Sequence, residues 1–197
     1  SKTPNPPITR CGAQGILANS SSISPSKLDL MNITTRLATQ ADIPACADVH
    51  IESCLDIYRP FISAEVHTKT LPDNLNAVWA DEQLENGDFI VMAEDAGNTV
   101  GIVTVRNQST PYIDHFHVTP ARKSGGIGRL LMRATLTEML KRGMDHCYLD
   151  VADGNDAALA FYKAMGGEIG EFIEGDLFGT PLRAQIIRWS DLLKLNL

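Results

Sequence analysis

The sequence predicts an α+β fold, a central mixed β-sheet of about seven strands flanked by helices, and three observations predict it. Seven short stretches show the two-residue alternation or the brief apolar run of a strand. Several longer stretches place apolar residues at helical spacing instead. Their order is strand, helices, three strands, helix, strand, helix, two strands, with no internal repeat.

The first strand is Asn32–Ala38, with Ile33, Thr35 and Leu37 on one face. Thr39-Gln-Ala-Asp42 then caps a helix that runs to about Tyr58, with Ile43, Ala47, Ile51 and Leu55 as its apolar stripe, and Pro60 ends it. Ser63 to Asn86 holds one or two further helices broken at Pro72, with Val78, Trp79 and Leu84 turned inward. Asp88–Glu94 and Thr99–Arg106 are strands joined by Asp95-Ala-Gly-Asn98, a hairpin turn. Tyr112–Val118 alternates polar and apolar residues and stops before Pro120, which cannot continue a ladder. A long helix follows from Gly126 to Arg142, with Leu130, Leu131, Ala134, Leu136, Met139 and Leu140 inward and Gly143 as its C-cap. Cys147–Val151 is a strand, Asn155–Met165 a helix ended by Gly166-Gly167, and Ile169–Ile173 and Leu182–Trp189 a closing strand pair.

At 197 residues and 44% hydrophobic composition, the chain is long enough for one domain with a sizeable core. A net charge of −7 argues against a nucleic-acid partner, because phosphate contacts need a basic face. No apolar run reaches membrane-spanning length, so no membrane partner is expected and the cytoplasm is the default compartment. Cys11, Cys46, Cys54 and Cys147 show no metal-ligand spacing; they read as reduced thiols, and no metal is expected. Residues 1–30 differ from the rest: they are rich in proline and serine, lack the pattern of a signal peptide, and precede Met31, which opens the strand pattern. They read as a poorly ordered leader of vector or cassette origin ahead of a single domain over 31–197.

The chain is organised around His117-Val-Thr-Pro-Ala-Arg-Lys-Ser-Gly-Gly-Ile-Gly-Arg129, a strand end, a glycine-rich turn and a helix start. Glycines at a helix N-terminus let backbone N–H groups converge where the helix dipole is positive, which makes a cradle for a phosphate or pyrophosphate. Arg122, Lys123 and Arg129 add positive charge in an otherwise acidic chain.

Here the chain resembles the GNAT superfamily of acetyl-CoA-dependent N-acetyltransferases. The family signature [Q/R]-x-x-G-x-[G/A] falls on Lys123-Ser-Gly-Gly126-Ile-Gly128, with lysine in the Gln/Arg place. Lysine keeps the charge and gives up the planar fork. A second block follows in Leu149-Asp-Val151 and Asn155-x-x-Ala158-x-x-Phe161-Tyr162-x-x-x-Gly166, with Gly167 replacing the family's final aromatic. The element order also matches from about Met31 to Trp189.

The resemblance implies an acyltransferase using acetyl-CoA as cosubstrate. It assigns the CoA pyrophosphate to the backbone of Lys123, Ser124, Gly125, Gly126, Ile127 and Gly128, with Arg129 nearby, and the pantetheine and thioester to His117 and Val118. Asn155 corresponds to the family's pantetheine contact, or serves as a helix N-cap, or both. Tyr162 corresponds to the tyrosine that protonates the leaving thiolate; alternatively it is helix packing. An alkylammonium must lose a proton before it can attack. Asp150 stands where the ribosomal-protein alanine acetyltransferases carry a glutamate; Asp114 and His117 are rivals on opposite faces of their strand, and the base stays unassigned. Asp114 and His115 also read as a solvated pair.

Specificity is expected in residues 52–80, the 107–110 loop and the 173–181 loop, with Glu52, Asp56, Tyr58, Glu65 and Trp79 as an acidic, aromatic lining. That charge favours a small cationic amine, such as a metabolite, a polyamine or an aminoglycoside-like compound. A protein N-terminus is the alternative acceptor, and a non-catalytic acyl-CoA sensor the alternative function. The resemblance also leaves a homodimer possible.

Overall fold

The structure is a computed structural model, which describes residues 32–59, 63–177 and 180–195. The expected leader, Cys11 and Pro60 lie outside these. The seven strands are β1 (Ile33–Leu37), β2 (Phe89–Asp95), β3 (Asn98–Arg106), β4 (Tyr112–Val118), β5 (Cys147–Ala152), β6 (Glu168–Leu177) and β7 (Thr180–Trp189). They form one sheet in the order β1-β2-β3-β4-β5-β7-β6, antiparallel at every junction except β4–β5, which is parallel. The helices are α1 (Ile43–Tyr58), α2 (Leu71–Ala80), α3 (Ile127–Lys141) and α4 (Asp156–Ala164). Among the described residues no helix is long and apolar enough to cross a membrane.

Strand alternation sends β-sheet side chains to two separate cores. Val91, Ala93, Val103, Phe116, Leu149 and Val151 join α3 and α4 in the larger one. Ile90, Met92 and Ile102 meet α1 and α2 on the other face. The β2–β3 turn holds Ala96 and Gly97 at φ 48° and 82°, the left-handed pair that a two-residue hairpin requires. Thr39 and Asp42 close a capping box, with Asp42 Oδ2 accepting the Thr39 N–H at 2.7 Å.

Three elements depart from expectation. The buried stripe of α1 is rotated: Cys46, Val49, His50, Ser53, Cys54 and Ile57 are inside, while Ile51 and Leu55 are half-buried. The sheet face beneath α1 is polar along β4, so polar residues of the helix find partners there. Pro72 does not break a helix; it sits in the first turn of α2, where its missing N–H costs nothing, after a wide turn at Val66–Thr70. Residues 173–177 continue β6 rather than forming part of a loop, since their backbone pairs with β7 out to Leu177↔Thr180. Cys46, Cys54 and Cys147 are buried, and burial pushes the Cys46 and Cys147 thiols up to about 12, so neither of these two supplies a thiolate nucleophile.

Candidate active site

The β4–β5 junction is the place where the sheet opens. The two strands pair only at Tyr112↔Tyr148, reinforced by the Tyr148 N–H donating to the Pro111 carbonyl at 3.1 Å. Beyond that pair they separate, leaving the rest of β4, up to His117 and Val118, with a strand edge that β5 does not cover.

The cradle lies where β4 ends. Ser124 and Gly126 both take left-handed backbone conformations, φ 65° and 78°, and Gly126 stands directly before α3. Alternating left-handed residues turn successive N–H groups to one side, the geometry of an anion nest. The first intrahelical bond of α3 runs from the Leu130 N–H to the Gly126 carbonyl at 3.1 Å. The N–H groups of Ile127, Gly128 and Arg129 therefore point out of the helix end, along its positive dipole. Arg129 is exposed there. Lys123 and Arg122 are already engaged: Lys123 Nζ donates to Asp56 Oδ2 of α1 at 2.6 Å, and Arg122 pairs with Asp95.

Asp150 stands in the mouth of the opening, two residues past the single β4–β5 pair. It faces away from the α3–α4 core that receives Leu149 and Val151. Tyr112 donates its hydroxyl to Asp150 Oδ1 at 2.5 Å, while Oδ2 is buried and has no hydrogen-bond partner among the described residues. Burial raises the Asp150 carboxyl above its ordinary range, the Tyr112 bond opposes this, and the charge of Asp114 adds to it.

Asp114 is not solvated, and it does not face away from the histidines. The β3–β4 ladder skips it: Thr104 pairs with His115 and Val105 with Ile113. This bulge resets the alternation, so the Asp114 carboxylate lies 3.6 Å from His115 Nε2. Arg106 Nε donates to it at 2.8 Å, and the same guanidinium binds Glu82 and Asp88. Asp114 is thus a paired structural anion, whereas Asp150 has no cation on it among the described residues.

His50, His115 and His117 gather between α1 and β4, all essentially inaccessible to solvent and with ring nitrogens within 4.8 Å of one another. Their rings pack closely, His50 on His117 at 4.2 Å and on His115 at 4.4 Å. Trp79 donates its indole N–H to His50 Nδ1 at 2.9 Å. An indole only donates, so Nδ1 carries the lone pair and the neutral ring keeps its proton on Nε2. A metal-bound histidine has the opposite arrangement, donating through its second nitrogen, so the set suits a hydrogen-bonded cluster better than a metal site. The cluster is invisible in the sequence, where residue 50 is 65 positions from residue 115; the only local signal is a histidine on the helix face that turns inward.

Asn155 is the N-cap of α4, its Oδ1 accepting the Ala158 N–H at 3.1 Å. Tyr162 is fully buried on the opposite side of the sheet from Asp150, packed against Phe116, Phe161 and Trp189. Burial, followed by the charge of Asp150, raises its hydroxyl well above the usual phenol range. Of the expected specificity lining, Glu52, Asp56 and Glu65 are exposed, while Tyr58 and Trp79 are buried in the packing of α1 and α2.

The profile of the family described as Acetyltransferase (GNAT) family matches residues 51–166, from within α1 to the end of α4. A curated streptothricin acetyltransferase of Streptomyces lavendulae is 30% identical over 106 residues, which make up 50% of this chain and 55% of that protein. The matched segment thus spans about half the length of that relative. The fold is similar to that of a ribosomal-protein-alanine N-acetyltransferase from Brucella melitensis, with a TM-score of 0.61 and 22% identity over 79% of this chain and 98% of the other. It is similar also to a PaiA N-acetyltransferase from Thermoplasma acidophilum solved with coenzyme A, with a TM-score of 0.62 and 19% identity over 79% and 98%.

Proposed function

The chain belongs to the acetyltransferase (GNAT) family, and on that premise we propose that it moves an acetyl group from acetyl-CoA to the primary amine of a small cationic molecule. The observation that carries the reading is Asp150: a buried carboxylate with one oxygen held by Tyr112 and the other without a hydrogen-bond partner among the described residues, in the mouth of the β4–β5 opening. An anion so placed attracts an alkylammonium and is a base of raised strength for removing its proton.

Acetyl-CoA supplies the activated thioester. The nest from Lys123 to Arg129 fits its pyrophosphate, since Gly126 at φ 78° and the open end of α3 present backbone donors without side-chain obstruction. The uncovered edge of β4, ending at His117 and Val118, suits a pantetheine arm that pairs as a strand would. Asp150 takes the ammonium proton, the neutral nitrogen attacks the carbonyl carbon directly in a ternary complex, and the tetrahedral adduct collapses as the C–S bond breaks; the nitrogen gives up its second proton to solvent, from which the Tyr162 hydroxyl is restored. Tyr162, buried on the α4 side of the sheet, returns a proton to the departing thiolate. Asn155 orders the α4 end of the cleft through its cap.

Thiol release from acetyl-CoA over a panel of amines tests this, with streptothricin, polyamines, aminoglycosides and peptides with free N-termini included. Turnover with small cations that is lost in Asp150→Asn supports the reading. Turnover with peptides alone makes the protein an N-terminal acetyltransferase. No turnover with any amine, while acetyl-CoA still raises the melting temperature, makes it an acyl-CoA-binding sensor.

A further inference from the structure

The lysine that replaces the family's usual Gln or Arg is already committed to another partner. Lys123 Nζ lies 2.6 Å from Asp56 Oδ2, and its side chain is only 8% exposed while that of Asp56 is 48% exposed. A lysine side chain this covered is screened less by solvent than one on the open surface. We propose that Lys123 is a positioning residue: the Asp56–Lys123 pair is a strut that fixes the anion cradle against α1, and Lys123 does not itself contact the phosphates. The proposal rests on the reading of the cradle as the CoA site.

Three residues of α1 form the anchoring face. His50, Ser53 and Asp56 recur at three-residue spacing, so they share one side of the helix. His50 stacks on His117 at 4.2 Å, Ser53 Oγ lies 3.2 Å from His117 Nδ1, and Asp56 takes Lys123. α1 is thereby tied to the end of β4 and to the turn that follows it. Arg122 ties the same turn to Asp95 at the end of β2. A cradle held from both sides presents its backbone N–H groups already aligned, which lowers the ordering cost of binding. The lysine ammonium meets Asp56 as a point charge, through one carboxylate oxygen.

The test is a pair of measurements on wild type, Asp56→Asn, Lys123→Met, the double variant and the charge swap Asp56→Lys/Lys123→Asp. Titration calorimetry with coenzyme A is expected to show each single variant weakened several-fold, the double variant no worse than the weaker single, and the swap restored to near wild type. A lysine that binds phosphate directly predicts the reverse: Asp56→Asn neutral or tighter, and the swap worst of all, with an anion placed against the phosphates. That result overturns the strut. Amide hydrogen exchange over residues 119–129, without ligand, is expected to quicken in both single variants and recover in the swap; unchanged exchange overturns the strut as well. Failure of wild type to bind coenzyme A, with the exchange pattern as expected, rejects the cofactor reading and leaves the strut standing.

Discussion

Tyr112 on β4 donates its hydroxyl to Asp150 on β5 across 2.5 Å, directly beyond the one residue pair that joins the two parallel strands. The bond spans the start of the opening and fixes one carboxylate oxygen, leaving the other oriented by default. Asp150→Asn keeps the acceptor for Tyr112 but removes the proposed base. It is expected to lower kcat/KM for acetyl transfer by ~10²–10⁴, the usual worth of a general base, with coenzyme A affinity unchanged by calorimetry.

The same substitution is expected to stabilise the fold. Burial raises the Asp150 carboxyl, so the folded state holds its proton more tightly than the unfolded chain does. Its contribution to stability is therefore full below the unfolded value and is lost as pH rises through the folded one. Asp150→Asn escapes that loss, so its melting temperature exceeds that of wild type at neutral pH, and the margin closes as pH falls toward ~4, near the unfolded carboxyl value. For catalysis the sign is opposite: wild-type activity rises with pH through the raised Asp150 value. Tyr162, whose hydroxyl lies well above the ordinary phenol range, adds no falling limb below pH ~10.

Arg106 is the common counter-ion of Asp114, Glu82 and Asp88, with Asp114 and Glu82 both buried. Arg106→Met strands buried carboxylates, and a loss of about 3–5 kcal/mol is expected in urea unfolding at neutral pH. A variant that unfolds at the wild-type urea midpoint would show that these acids do not depend on it.

Trp79→Phe removes the indole N–H that is donated to His50 Nδ1 and puts a smaller ring in its place. A loss of about 1–3 kcal/mol is expected for the lost buried hydrogen bond, measured by chemical denaturation.

Gly126→Val places a β-branched residue at φ 78°, directly before α3. The left-handed conformation is expected to cost ~1–2 kcal/mol of stability and to abolish coenzyme A binding in calorimetry, since the N–H groups of the cradle lose their alignment.

Every strand was legible in the sequence because alternation and hairpin turns are local: β2, β3 and the Asp95–Asn98 turn fall within a residue of expectation. The glycine turn and the start of α3 were legible for the same reason, a left-handed backbone requirement that Gly126 satisfies. The rotated face of α1 was not, because its inward residues include His50 and Ser53, and polarity marks a residue as outward unless the partner strand is known. The strand limits of β6 and β7 were missed because pairing with each other, not their own composition, extends them.

The sequence by itself therefore determined the element order, the glycine-rich turn before α3 and the candidate carboxylates. Only the tertiary structure shows how their surroundings differ. A bulge at Asp114 and the guanidinium of Arg106 turn one carboxylate into a structural ion, and the parting of β4 from β5 leaves Asp150 with a buried open oxygen. It likewise gave Lys123 to Asp56, 67 residues away. Charge and spacing are local properties of a chain, whereas desolvation and the choice of counter-ion depend on which distant residues the fold brings within a few ångströms.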